Sequence, residues 1–251
     1  MAIAWVESVR DTGELTVFTG KSISNTPWAN VLPAAVKEFN VFNKSFGLGI
    51  SLRTVSDPPT DTGGANVKIE AASGSISAAW SGSSKAENFN GKSLHGRTFQ
   101  FHYENSGLEK AFVFLPLEPH INTPKGQRLV GTGVMRLIAV HEFVHACGLE
   151  DSDHVAGGLF EGNPSVDYGK TADLDRVIAS AGGTTRKMPP LVLGEKTIER
   201  IKLLGRRRGR NNVTLVVLVR ARRHLRDAPP PFSCALTKSP LRMRMYTRLP
   251  E

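Results

Sequence analysis

Two histidines and a glutamate stand together in the run His141-Glu142-Phe143-Val144-His145-Ala146-Cys147-Gly148. On a helix, residues four apart lie one above the other on the same face. His141 and His145 can then hold one Zn2+ ion between their imidazoles without bending the backbone. Glu142, beside the first of them, is within reach of a water on the metal. The chemistry this spacing supports is hydrolysis by an activated water, with His141 and His145 as metal ligands and Glu142 as general base. Zinc in such a site takes three protein ligands and leaves one position open. Two candidates for the third follow directly, Asp151 and His154.

The arrangement resembles the metzincin clan of zinc peptidases, whose signature is H-E-x-x-H-x-x-G-x-x-H followed by a methionine turn. The resemblance implies that Gly148 breaks the helix and returns the chain to the metal. It also implies that the third ligand sits three residues past the glycine. That position holds Asp151 where the signature has His, and some metzincin-like peptidases use Asp there. A longer turn brings His154 to the metal instead. Neutral imidazole keeps the metal a strong Lewis acid, whereas a carboxylate cancels part of its charge and makes bound water harder to ionise. Spacing therefore favours Asp151 and chemistry favours His154. The stretch 148–154 is similar to the extended version in phage-type matrixin-like proteins. If His154 ligates, Asp151 or Asp153 can accept an N–H from a ligand.

The resemblance further implies a methionine floor beneath the metal. Met188, followed by Pro189 and Pro190, is the Met-turn candidate. The tyrosine that commonly follows it in the family is missing, and Tyr168 is the candidate to replace it. A thermolysin-like alternative, with Glu161 as third ligand, fits poorly with a helix that stops at Gly148. An edge strand beside the cleft, which in metzincins pairs with the substrate backbone, is expected near residues 111–115.

The elements that must position these groups follow from periodicity. The apolar stretch from Leu129 through Val134, Met135, Leu137, Ile138 and Val140 to Val144 is too long for a strand and reads as a buried helix. Gly148 falls at its expected C-terminal stop. Cys147, offset from both histidines, reads as a small packing residue. Upstream, residues 15–18 read as a strand. Residues 28–42 read as a helix, with Asn25 or Thr26 as cap and Pro27 in its first turn. Residues 50–55, 67–71, 98–103 and 111–115 read as strands. The stretch 73–92 is rich in Gly, Ser and Asn and reads as an exposed loop. Residues 195–204 read as a closing helix. The expected fold class is α+β: a metzincin-like mixed, twisted sheet with an active-site helix carrying the motif and a C-terminal helix.

The chain has 251 residues, 40% of them hydrophobic and 22% charged, ordinary for a soluble globular protein. No stretch approaches the roughly 20 apolar residues of a membrane helix, and the first residues do not form a secretory signal. The net charge of +9 is unevenly placed. Residues 205–251 hold 12 of the 32 basic residues and two of the 23 acidic ones, so this tail carries +10 and the remainder −1. The expected organisation is a catalytic domain over 1–204 and a basic, disordered tail over 205–251. The near-neutral domain gives no electrostatic reason to bind nucleic acid. The expected partner is a protein or peptide substrate. The alternatives are a structural or virion protein with a non-catalytic metal, or a module that meets nucleic acid or an anionic surface through its tail. Neither Cys147 nor Cys234 reads as part of a disulfide framework.

Overall fold

The computed structural model describes residues 2–61, 63–103, 107–123, 126–153, 159–160, 176–178, 185–187 and 191–205. They belong to the unit Met1–Arg207. His154, Glu161, Tyr168, Met188 and Cys234 lie outside the described residues, as does the tail from 206 onward.

The architecture is α+β, built on one mixed sheet. In chain order, a short helix α1 (Glu7–Thr12) precedes β1 (Glu14–Thr19), and a single turn α2 (Lys21–Ser24) leads into the long helix α3 (Trp28–Phe46). Then come β2 (Ser51–Val55), β3 (Val67–Ala72), β4 (Gly74–Trp80), β5 (Ser83–Phe89), β6 (Arg97–Tyr103) and β7 (Gly107–Pro116). A small hairpin, β8 (His120–Thr123) and β9 (Gly126–Leu129), leads to the motif helix α4 (Thr132–Ala146) and a 3-10 turn, Asp151–Asp153. A short antiparallel ribbon, β10 (Arg176–Ile178) with β11 (Thr185–Lys187), and the closing helix α5 (Glu195–Gly205) complete the described elements.

The sheet runs β2-β1-β3-β7-β6. The first four strands are mutually parallel, and β6 joins antiparallel to β7 with Phe99 opposite Phe112. Strand alternation sends the two faces to different partners. Leu15, Val17, Val67, Ile69, Ala111, Val113 and Leu115 share one core with Trp28, Val31, Leu32, Ala35 and Phe39 of α3 and with Val134, Ile138 and Phe143 of α4. Phe39 meets Phe143 edge-on, with ring centroids 6.3 Å apart. The buried Trp28 indole donates to the Pro116 carbonyl at 2.8 Å, pinning the start of α3 to the end of β7. The expected cap of α3 is not made. Pro27 itself holds the N-cap position with no side-chain cap bond, and the Thr26 hydroxyl donates backward to the Ile23 carbonyl.

The opposite face is covered by a hairpin where the sequence reads as a loop. Ile76, Ala78 and Trp80 of β4 alternate inward and join Phe89, Phe99, Phe101 and Phe114 in a second cluster. The two residues between β4 and β5, Ser81 and Gly82, both have positive φ (47° and 79°), the geometry of a tight turn that matches the twist of its strands. Trp80 is held twice: its indole donates to Glu109 at 3.2 Å, and the Lys110 ammonium lies 4.7 Å above its ring. Burial lowers the pKa of Lys110, which also donates to the carbonyls of Gly63 and Ala65.

The two edges of the main sheet are finished differently. At β2, the Asn40 side chain accepts from the Leu52 N–H at 2.7 Å and donates to the Leu52 carbonyl at 2.8 Å, so α3 occupies the rim where another strand would add. At β6, β7 is the one paired neighbour among the described residues. Replacing Asn40 by Ala would strip both Leu52 backbone groups of a partner. Asn40→Ala is expected to cost about 1–2 kcal/mol, read as a lower denaturant midpoint with an unchanged slope.

Candidate metal centre

Helix α4 is apolar on nearly every side and lies buried between α3 and the β6–β7 end of the sheet. Apart from Thr132 and Arg136 near its start, its polar side chains lie in the last two turns. The Nε2 atoms of His141 and His145 are 3.1 Å apart. Two nitrogens at zinc-bond length around a tetrahedral ion stand roughly 3.3 Å apart, so this pair fits a shared metal.

The orientation of His145 is dictated by the helix end. Gly148 has φ +104°, and an added Cβ would stand 2.0 Å from the Ile3 carbonyl, so glycine is required there. The reversal returns the Leu149 carbonyl to His145, 2.9 Å from Nδ1. A carbonyl can only accept, so Nδ1 carries the proton and the lone pair of Nε2 points toward His141. This is the second-layer contact that zinc-binding histidines use to fix their tautomer.

The end of the helix is anchored from three directions. The Gln100 amide of β6 donates to the carbonyls of His145 (2.8 Å) and Leu149 (2.9 Å). The Trp5 indole donates to the Ala146 carbonyl at 2.9 Å, and the Ile3 N–H to the Gly148 carbonyl at 2.9 Å. These bonds satisfy carbonyls that a helix terminus leaves orphaned. Cys147 is fully buried and its thiol pKa is raised by burial, in keeping with a packing role.

Glu142 is 2% exposed. The Thr98 hydroxyl donates to its Oε2 at 2.7 Å, and the Gly96 N–H also donates to the carboxylate. A Cβ on Gly96 would stand 2.6 Å from Cγ of Glu142, so only glycine lets this backbone approach. Burial pushes the Glu142 pKa up to about 7, and Asp151 adds to the rise. Bonds from Thr98 and Gly96 and the charge of Arg97 oppose it without cancelling it. The carboxyl is thereby tuned to exchange a proton near neutrality.

Of the two candidates for third ligand, the described residues contain Asp151. Its side chain is 71% exposed, and Oδ1 stands 3.7 Å from Nε2 of His145. Oδ2 is engaged by Nη1 of Arg97 at 2.9 Å, and Nε of the same arginine pairs with Glu87 at 3.0 Å. Asp153 accepts from the Glu150 N–H and from Arg200 of α5, which makes it a clamp of the turn. Among the described residues, no group of three His, Cys, Asp or Glu stands close enough to hold a metal ion.

These groups open on a cleft of about 880 Å³, lined by residues 84–87 of β5, 95–100 around the start of β6, His141, Glu142, His145 and 149–151. Strand β7, which contains the expected substrate-pairing segment 111–115, is bonded by β3 on one side and β6 on the other. It has no free backbone to offer. The expectation that 111–115 is an edge strand is therefore not met; among the described residues the sheet edge beside the cleft is β6.

Gln100, Thr98, Gly96 and Arg97 carry no sequence motif. The one available signal was Gln100, a polar side chain between Phe99 and Phe101 in a strand buried on both faces. Compared with known protein families and with curated proteins, the chain matches none. No helix among the described residues is long and apolar enough to cross a membrane.

Two outcomes follow from this geometry. Gln100→Leu removes both anchoring donors and is expected to destabilise the protein by about 2–3 kcal/mol, seen as a lower Tm. The Glu142 carboxyl titrates higher in the folded than in the unfolded chain, so the folded state holds the extra proton between about pH 4.5 and 7. The cost of burying its charge is absent below that window and reaches its full size, about 3 kcal/mol, above it. Metal-free Glu142→Gln should therefore be more stable than the parent at pH 8, with a difference that vanishes toward pH 4.5. An equal difference at both pH values would contradict the raised pKa.

Proposed function

We propose that the protein is a zinc-dependent peptidase of metzincin-like character, hydrolysing peptide bonds. The observation that carries the reading is the pair of imidazole Nε2 atoms 3.1 Å apart, next to a buried carboxyl tuned to about pH 7 at the head of a cleft. His141 and His145 would hold the metal through Nε2, with His154 or Asp151 as the third ligand. Zinc bound there supplies a polarising centre for the scissile carbonyl and lowers the pKa of the attacking water.

The rest of the chemistry belongs to side chains of this chain. Glu142 takes the proton of the attacking water at its carboxylate and returns it to the leaving amine. Thr98 and Gly96 hold the carboxylate so that one geometry serves both transfers. The Leu149 carbonyl keeps the His145 imidazole in the tautomer a metal requires. The edge of β6, which no described strand pairs, would receive the substrate in extended form. Several features support the metzincin-like assignment over a generic zinc hydrolase. The helix stops at Gly148, an antiparallel edge strand lies beside the cleft, and α5 closes the domain.

The test is hydrolysis of casein by the full chain with and without a chelator. Chelation should abolish cleavage, and added zinc should restore it. Glu142→Ala is expected to lose at least 100-fold in rate while still binding about one zinc per chain. Full activity in Glu142→Ala would sink the mechanism. Zinc retention in His154→Ala against Asp151→Ala identifies the third ligand as the one whose loss releases the metal.

A further inference from the structure

Among the described residues, three imidazoles line the cleft. Those of His141 and His145 have ring centroids 4.9 Å apart. The third belongs to His95, whose ring centroid is 6.5 Å from that of His141. Two imidazoles bonded to one zinc ion through Nε2 have centroids about 5 Å apart. The first pair fits that spacing. His95 stands too far out to share the ion and near enough to touch a molecule bound in front of it.

The backbone gives His95 a fixed place. Its N–H donates to the Ser93 hydroxyl at 3.0 Å, and the Ser93 N–H donates to the Asn90 carbonyl at 2.9 Å. The next residue, Gly96, donates its N–H to the Glu142 carboxylate. The segment that carries His95 is therefore tied, one residue on, to the general base. His95 itself is exposed.

The other nitrogen donors of the cleft are committed. Arg97 is shared between Glu87 and Asp151. The Gln100 amide donates to the carbonyls of His145 and Leu149. Lys85 stands over the ring of Phe101, which packs in the cluster on the hairpin side of β6. His141 and His145 face each other through their Nε2 atoms. Among the described residues, no acceptor takes the ring N–H of His95, which a neutral imidazole keeps in either tautomer.

Water adding to a peptide carbonyl leaves negative charge on the carbonyl oxygen. A donor aimed at that oxygen lowers the barrier, because its bond strengthens as the charge grows. We propose that His95 is a catalytic residue whose ring N–H donates to the oxygen of the scissile carbonyl. The inference rests on the peptidase reading and adds to it a side chain that touches the substrate and not the metal.

The experiment compares the full-length, zinc-loaded parent with His95→Ala and with His95→Gln, which keeps a neutral N–H donor. The substrate is a peptide spanning a site that the parent cuts in casein. The same peptide with a phosphinic group in place of the scissile amide mimics the tetrahedral transition state and is not cut. His95→Ala is expected to keep about one zinc per chain and the Tm of the parent, because the residue it replaces is exposed. Its kcat should fall about 100-fold with KM within about twofold, and its affinity for the phosphinic peptide should fall by a similar factor. His95→Gln should recover about tenfold or more of both losses. An unchanged kcat in His95→Ala, a loss confined to KM, release of zinc, or a glutamine variant no better than alanine would each overturn the role of His95 and leave the peptidase reading standing. A parent chain that binds no zinc or leaves casein uncut would remove the peptidase reading, and the role of His95 with it.

Discussion

The Leu149 carbonyl is the point on which the candidate site depends. It accepts from Nδ1 of His145 and from the Gln100 amide, and it reaches both only because Gly148 turns the chain through a left-handed conformation. One acceptor thus fixes a tautomer, aims a lone pair and ties the helix to the sheet edge. Each bond is worth about 1 kcal/mol net, but losing the donors would leave a buried carbonyl unpaired at a cost of about 1–3 kcal/mol. That asymmetry is why the turn is held from several elements at once, including Ile3 and Trp5 at the other end of the chain.

Glu142 presents the opposite balance. Its burial works against the folded state, and the bonds from Thr98 and Gly96 offset only part of that. A carboxylate kept in water would cost less and would stay ionised at neutral pH, which makes it a poorer proton carrier. The destabilisation is tolerated because α4 is embedded in the main core through Phe143, Val144 and Ala146, whose burial is independent of the carboxyl.

The parts legible in the sequence are those set by local periodicity. The motif helix, α3, β1 to β3 and α5 all follow from apolar spacing that a single element imposes, and the helix stop follows from one glycine. The β4–β5 hairpin was not legible, because its inward face is Ile76, Ala78 and Trp80 among serines, and β5 adds Phe89 alone, with no apolar alternation. The Ser81-Gly82 turn was the one cue. The choice of edge strand failed for a different reason, since pairing order is not a local property. The apolar run of β7 marked a strand buried on both faces and bonded on both sides, as runs in sheet interiors are. The mixed sequence of β6, with Arg97 and Thr98 before its aromatics and Gln100 between Phe99 and Phe101, is that of the sheet's outer strand, whose first residues border the cleft.

Chain topology explains why these polar residues act together although no motif joins them. Strands β3 and β7 are parallel neighbours, so the chain between them must leave the sheet and return. That excursion contains the hairpin and β6, and β6 settles on the far side of β7, next to α4. In a single detour it supplies Gly96 and Thr98 to the carboxylate, Gln100 to the helix end, Arg97 to Asp151, and the β5 wall of the cleft. The motif helix contributes the groups that can bind a metal, and the excursion contributes what fixes their protonation and bounds the space before them. A shift of β6 along β7 by one residue would turn Thr98 and Gln100 to the hairpin side and Phe99 to the helix. The register of that one strand pair therefore decides whether the motif is a site or only a buried helix with two histidines.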